Sequence, residues 1–344
     1  MRKTARQTNI ELLRIIAIAG VIFLHYYNAD IGGASKYVVR GSVNYYVLMA
    51  LENTFICSVD LFVMISGYFL SRSNKRSVGR VLSLLLQTSI LRGLIYCLTI
   101  WIDGKSFSGQ IFLRVLIPTC WFVILYSALY LVSPLLNHAF VATKKKQAVL
   151  LLFFLFSVWP TLVDLANAFY KYDITSLSSV GMYGSQNGYT IINFFLCYLM
   201  GAYVRELDLS KLKKANLLFL LLVDIALISI WCSWVVTTAR SYHNPLVVFA
   251  ALLFFLLFLK MDLGIKPAIN WIAESTLSVY IGHTWFLPYF RIEDYVNRSL
   301  FVLVLHIVVT VVCIFGLCAA LDKIYHLLLK PVNERLKQCF CYEI

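Results

Sequence analysis

The sequence predicts an all-α, polytopic membrane protein with about ten transmembrane helices and both termini cytoplasmic. Three observations predict it. Of 344 residues, 60% are hydrophobic and only 14% charged, whereas a soluble domain is about half apolar and about a quarter charged. Mean hydropathy is +0.79, and runs close to the ~20 apolar residues that cross a bilayer take up nearly the whole length. Lys and Arg collect in alternate connections between those runs. Together these exclude a water-soluble enzyme, a disordered chain and a secreted disulfide scaffold, and they leave one membrane domain over 1–344 with no fused soluble domain.

Charged or turn-forming breaks delimit the elements in order. The first, roughly 10–28, follows the basic start Met1-Arg2-Lys3-Thr4-Ala5-Arg6 and ends in His25-Tyr26-Tyr27-Asn28-Ala29-Asp30. That ending is not a small-residue cleavage site, so the segment is expected to stay as a helix and not leave as a signal peptide. The second, 44–70, ends at the basic run Ser71 to Arg80, and the third, 81–102, at Asp103-Gly104-Lys105. The fourth, 119–140, stops before Lys144-Lys145-Lys146, and the fifth, 147–164, before a Ser-, Gly- and Tyr-rich connection running from Asp164 to Gly188. Loops longer than roughly 12–15 residues are often lids or binding loops, and a plain solvated connector fits equally well. The last five spans are 189–204, 216–238, 245–260, 268–290 and 299–322, with about 22 residues beyond.

An even number of spans puts both termini on one side, and basic residues identify that side as cytoplasmic. With the N-terminus inside, 20 of the 30 Lys and Arg fall in inner segments and 8 in outer loops, while Arg14 and Arg92 lie within helices. The net charge of +13 therefore reflects topology, and no nucleic acid partner is expected. The 9 cysteines show no metal or disulfide spacing and read as small apolar residues. No internal repeat is visible.

Ionisable groups at membrane depth are costly and mark function by default. Here they are Glu11, Arg14, His25, Glu52, Asp60, Arg92, Asp224, Glu274, His283 and His306. Arg14 and His25 are eleven residues apart, close to three helical turns, so they share one face at a separation of ~16 Å along the axis. Glu11 precedes Arg14 at ion-pair spacing. Two structural readings stand beside this: Thr8-Asn9-Ile10-Glu11 fits a capping box, and Arg14 could snorkel to the interface. His25 could be an interfacial histidine, or a general base suited to neutral pH. The cluster Arg72, Lys75, Arg76 and Arg80 could hold anionic lipid or the phosphates of a nucleotide-like ligand. Glu52, Asp60 and Arg92 could form a buried pair. Arg92, about 18 Å deeper than Arg80 on a regular helix, could neutralise Asp60. His283 and His306 could line an outer site, and Asp224 and Glu274 read as structural.

Four patches, in order, resemble the integral-membrane acyltransferase 3 family: Glu11-Leu12-Leu13-Arg14-Ile15 through His25; Asp60 to Leu70, similar to that family's "VDLFFVLSGF" segment; Trp121 to Tyr126 with Tyr130-Leu131-Val132-Ser133-Pro134; and Leu277 to His283. The resemblance covers essentially the whole chain. It implies an O-acyltransferase of the cytoplasmic membrane that moves an acyl group, most often acetyl, from cytoplasmic acetyl-CoA to a hydroxyl of an exopolysaccharide or other cell-envelope glycan, free or lipid-linked. It places the catalytic pair on Arg14 and His25, with Glu11 beside Arg14. The family's basic Arg-Arg-x-x-Arg motif is approximated by Lys75-Arg76-x-x-x-Arg80, so Arg72, Lys75, Arg76 and Arg80 are the expected donor contacts. Asp60, Arg92, Trp121 and His283 are the expected substrate contacts. No metal is implied. Membrane lipid and the proteins of a polysaccharide pathway are the expected partners. A transporter or exporter of a glycan or acylated precursor is the rival reading from another class.

Overall fold

A computed structural model describes residues 6–170 and 190–343. The chain opens with α1 (Thr8–Tyr27), a short α2 (Ala34–Tyr37), α3 (Val43–Phe55), α4 (Ser58–Leu70) and strand β1 (Lys75–Ser77). It continues through α5 (Val78–Ile102), α6 (Gly109–Leu116), α7 (Trp121–Ala142), α8 (Lys146–Tyr170) and α9 (Ile191–Val204). The last part holds α10 (Lys214–Trp234), α11 (Val236–Ala239), α12 (Pro245–Leu259), α13 (Pro267–Ala273), α14 (Thr276–Phe286), a 3-10 turn Leu287–Phe290, α15 (Ile292–Tyr295), α16 (Leu300–Gln338) and strand β2 (Cys341–Glu343). Among the described residues, seven helical stretches are long and apolar enough to cross a membrane, and Ile191–Val204 and Pro245–Leu259 are shorter apolar helices.

Several predicted boundaries move, each for a local reason. The predicted span 44–70 is two helices, broken at Ile56-Cys57, where Ser58 Oγ donates to the Phe55 carbonyl (2.6 Å) and competes with the helical ladder. The span 268–290 is divided among α13, α14 and the 3-10 turn. The fifth helix extends past Asp164 to Tyr170, so the connection expected from 164 to 188 begins later, and residues 171–189 lie outside those described. The last helix does not stop at Asp322 but continues to Gln338. Asp322 is fully buried and accepts hydrogen bonds from Ser275 Oγ (2.8 Å), Ser278 Oγ and Gln87 Nε2 (3.1 Å). The charge that suggested a membrane exit thus ties α16 to α5 and to the start of α14.

Helix α1 is central and packs against α3, α4, α12, α13, α14 and α16. Its Ile10, Leu13, Ile18, Ile22 and Tyr26 are all without solvent exposure. Beside it, α4 and α9 cross at backbone contact. A Cβ at Gly67 would lie 1.9 Å from the Tyr198 carbonyl oxygen, and one at Gly201 would lie 2.0 Å from that of Met64. Such reciprocal close approach is how membrane helices gain packing without a hydrophobic drive between them. At the end of the bundle that carries Thr8, β1 and β2 pair antiparallel with Arg76 opposite Tyr342.

Gly67→Ala and Gly201→Ala should each cost about 1–3 kcal/mol through overpacking, read as a lower Tm in detergent. Gly316→Ala, whose Cβ would meet nothing within 4 Å, should leave Tm unchanged or raise it. Equal Tm for all three variants would refute the close crossing.

Candidate functional site

Arg14, Val21, His25 and Asn28 form one stripe of α1, and that stripe borders two adjoining cavities. The first, about 250 Å³, lies beside Arg14, Phe62, Ser66, Leu84, Tyr126 and Leu277. The second, about 410 Å³, lies beside His25, Asn28, Glu52, Trp121, Arg240 and Tyr242. Val21 of α1, Val59 of α4 and Tyr280 of α14 line both. They form a common wall, beside which Phe122 of the first cavity has its ring centre 5.1 Å from that of Tyr280. Arg14 therefore faces the space on one side of the wall and His25 the space on the other.

Each predicted site residue has a definite environment. Glu11 is buried and bonds to Arg14 at 3.2 Å. The Arg14 guanidinium also sits 5.8 Å from the centre of the Phe69 ring. The capping-box alternative is not realised: α1 starts after Gln7 without a side-chain cap, and Thr8 Oγ1 instead accepts from the Lys266 amide at 3.0 Å. His25 and His283 stack, with ring centres 4.8 Å apart and planes inclined by 19°. His283 Nδ1 is 3.0 Å from the Val279 carbonyl. A carbonyl oxygen only accepts, so Nδ1 carries the proton and Nε2 the lone pair. That buried Nε2 meets no hydrogen-bond partner among the described residues. Trp121 lines the second cavity.

Other expectations are overturned. Arg92 does not neutralise Asp60: its Nη1 donates to Thr119 Oγ1 at 2.6 Å, and Asp60, fully buried, accepts from Asn193 Nδ2 at 3.1 Å. Neither residue lines these two cavities. Glu52 pairs with Arg240 instead. The Arg240 Nε donates to Asn53 Oδ1 at 3.0 Å, and its guanidinium lies 5.6 Å from the Tyr27 ring centre. His306 lines neither cavity. It accepts from Tyr26 Oη at Nδ1 (2.9 Å) and donates from Nε2 to the Phe290 carbonyl (2.9 Å), which leaves no ring nitrogen free.

The basic cluster divides. Arg72, Lys75 and Arg80 are exposed, but Arg76 is only 3% exposed and spends its donors inside the protein. Its Nε donates to Ser133 Oγ (2.7 Å), Nη1 to the Ser73 and Lys75 carbonyls (2.6 and 2.9 Å) and Nη2 to the Leu70 carbonyl (2.9 Å). Arg76 is thus a lock on the end of α4, with its guanidinium bonded inside the protein. The tail beyond the expected last span contributes to this lock, because Tyr342 donates to the Leu131 carbonyl beside it.

Sequence reasoning missed Arg240 and Tyr280. Arg240 counts as an outer-loop charge by topology, yet its loop folds inward. Thr238, Ala239, Ser241 and Asn244 are buried, and Asn244 Nδ2 donates to the Thr238 carbonyl at 2.9 Å. The one available signal was Asn244-Pro245, a capping residue before proline, which starts α12 well inside the chain's apolar stretch.

A family model described as an acyltransferase domain, the acyltransferase 3 family, matches residues 7–322. No curated protein and no solved structure gives a significant match.

Arg76→Gln should lower stability by about 2 kcal/mol or more, because hydrogen bonds to a charged group are the strong ones and three carbonyls lose a donor. Lys75→Gln, at an exposed position, should be neutral. Thermal unfolding in detergent checks both, and an unchanged Tm for Arg76→Gln would show that the lock carries no weight.

Proposed function

The chain belongs to the acyltransferase 3 family of membrane acyltransferases, and we propose that it transfers an acetyl group from acetyl-CoA to a hydroxyl of an exopolysaccharide or other envelope glycan. The observation that carries this reading is the pair of cavities on one stripe of α1, with Arg14 in one and His25 in the other. A thioester group entering the first cavity and a hydroxyl entering the second would meet at Val21, Val59 and Tyr280. Both substrates could then react without either crossing the bilayer.

The lining of each cavity suits its proposed occupant. The first is mostly apolar, as a pantetheine arm and a methyl group require, and its one cation among the described residues is Arg14. Held by Glu11, Arg14 is aimed for polarising a carbonyl oxygen. The second combines Trp121, Tyr242 and Tyr280 with Glu52, Arg240, Asn28 and Ser241. Aromatic faces with fixed donors and acceptors match the alternating apolar faces and hydroxyl rims of a sugar. The bias of 20 inner against 8 outer basic residues supports a cytoplasmic N-terminal end. The donor would then enter from the cytoplasm and the acceptor from the other side of the cell membrane.

In the reaction the acceptor oxygen attacks the thioester carbonyl carbon. His25 removes its proton, the new C–O ester bond forms, the C–S bond breaks, and the leaving thiolate takes up the proton as free CoA. His283, stacked on His25 and tethered through Nδ1, acts as a positioning residue that sets the plane of the catalytic ring.

His25→Ala should reduce acetyl transfer at least 10²-fold, within the range for loss of a general base, while binding of acetyl-CoA stays within a few-fold of wild type. Purified protein in nanodiscs with labelled acetyl-CoA and a glycan acceptor checks both. Full transfer by the variant would sink the assignment of His25. Movement of glycan across sealed proteoliposomes carrying the wild-type protein, without CoA release, would favour the exporter instead.

A further inference from the structure

The carboxyl ends of α4, α7 and α9 converge at the end of the bundle that carries Thr8. Between them lies a third cavity of about 620 Å³, lined by Ser71, Arg72, Asn137, Phe140, Arg205 and Glu206. Three helix C-termini favour cations nearby, which accounts for two arginines at one spot. It does not account for how little else they have. Neither the Arg72 nor the Arg205 side chain makes an ion pair or a hydrogen bond among the described residues, although the Glu206 carboxylate lies near enough to favour the Arg205 cation in part. Each guanidinium carries five donors and no acceptor.

Among the described residues, the one carboxylate lining the cavity is already claimed. Lys146 Nζ sits 2.6 Å from both oxygens of Glu206, and Lys146 also lies over the Phe140 ring at 5.4 Å. Asn137 is committed as well, donating to the Leu70 and Ser73 carbonyls (3.2 and 3.4 Å) and accepting from Tyr198 Oη (2.8 Å). Burial, and after it the neighbouring Arg72 charge, disfavour the Arg205 cation. Two like charges therefore line one open-sided cavity with no hydrogen bond to either guanidinium among the described residues, while Ser71, Asn137 and Glu206 are already bonded.

We propose that this cavity is a binding site for a phosphate group, gripped between Arg72 and Arg205. Paired guanidinium forks match the geometry of phosphate oxygens, and an anion there relieves the repulsion between the two arginines. Two molecules carry that chemistry at such a location: the nucleotide end of CoA and the headgroup of an anionic lipid. Ser66, which lines the first cavity, and Ser71 are five residues apart on the line of α4, about 7.5 Å of helix rise. The nucleotide source rests on the acyl-transfer reading; the phosphate site does not.

The test uses the full chain in phosphatidylcholine nanodiscs and measures binding of CoA and of adenosine 3′,5′-bisphosphate. Variants are Arg72→Gln, Arg205→Gln and, as control, Lys211→Gln at an exposed position on the same end. In a second arm, discs containing phosphatidylglycerol are analysed by native mass spectrometry for retained lipid. Each arginine variant should weaken nucleotide binding about tenfold if the nucleotide is the occupant, or lose the retained phosphatidylglycerol if the lipid is, with the control unaffected. Nucleotide affinity within twofold of wild type and unchanged lipid retention in both variants would overturn the site. Arg72 is exposed, so Arg72→Gln carries the test if Arg205→Gln fails to fold. Phosphate binding that depends on the arginines, in a protein that never turns over acetyl-CoA, would sink the acyl-transfer reading and leave the site standing.

Discussion

At membrane depth there is no water to satisfy a polar group, so every charge and every interrupted backbone must find its partner inside the protein. Much of the architecture follows from that constraint. Asp322 collects Ser275, Ser278 and Gln87 and so fixes three helices together. Arg76 absorbs carbonyls at the end of α4 and a serine of α7. Arg240 is held by Glu52, Asn53 and the face of Tyr27, which lets an irregular segment fold inward between α10 and α12. α4 and α9 use both devices: Asn193 donates to the buried Asp60 between them, and Gly67 and Gly201 let their backbones meet.

Other buried groups make no hydrogen bond among the described residues, Asp224 and Thr310 among them, and some lie at the two cavities. Nε2 of His283 is buried without one, and His25 beside it turns toward open space. Arg14 keeps one carboxylate and one aromatic ring but borders an otherwise apolar cavity. Arg14 and His25 fall on a single line of α1 that passes Val21. The wall across that line is made of two valines and a tyrosine.

The sequence made some of this legible and hid the rest for physical reasons. Arg14 and His25 could be placed on one face because helical periodicity alone decides it, and Glu11 could be paired with Arg14 because the pair is local. Partners distant in sequence could not be assigned by adjacency. Glu52, Asp60 and Arg92 looked like a set because their helices are consecutive, whereas their partners come from Arg240, Asn193 and Thr119. Counting Arg240 as a loop charge and Asp322 as a membrane exit shared one cause. Hydropathy treats a charge as a boundary, and a charge with buried partners is nothing of the kind. The same logic hid the difference between Arg76, locked inside, and Arg72, left open four residues earlier.

The short ladder between β1 and β2 has a consequence for how the protein is made. Ser77 Oγ donates to the Cys339 carbonyl, 262 residues further along the chain, and Arg76 lies opposite Tyr342. During synthesis, the segment that follows α4 emerges early and stays without its strand partner until nearly all the other described helices have been inserted. Closure of such a distant pair is slow compared with local helix formation. The end of the bundle carrying the N-terminus is therefore finished last, once the last helix and the strand after it have left the ribosome.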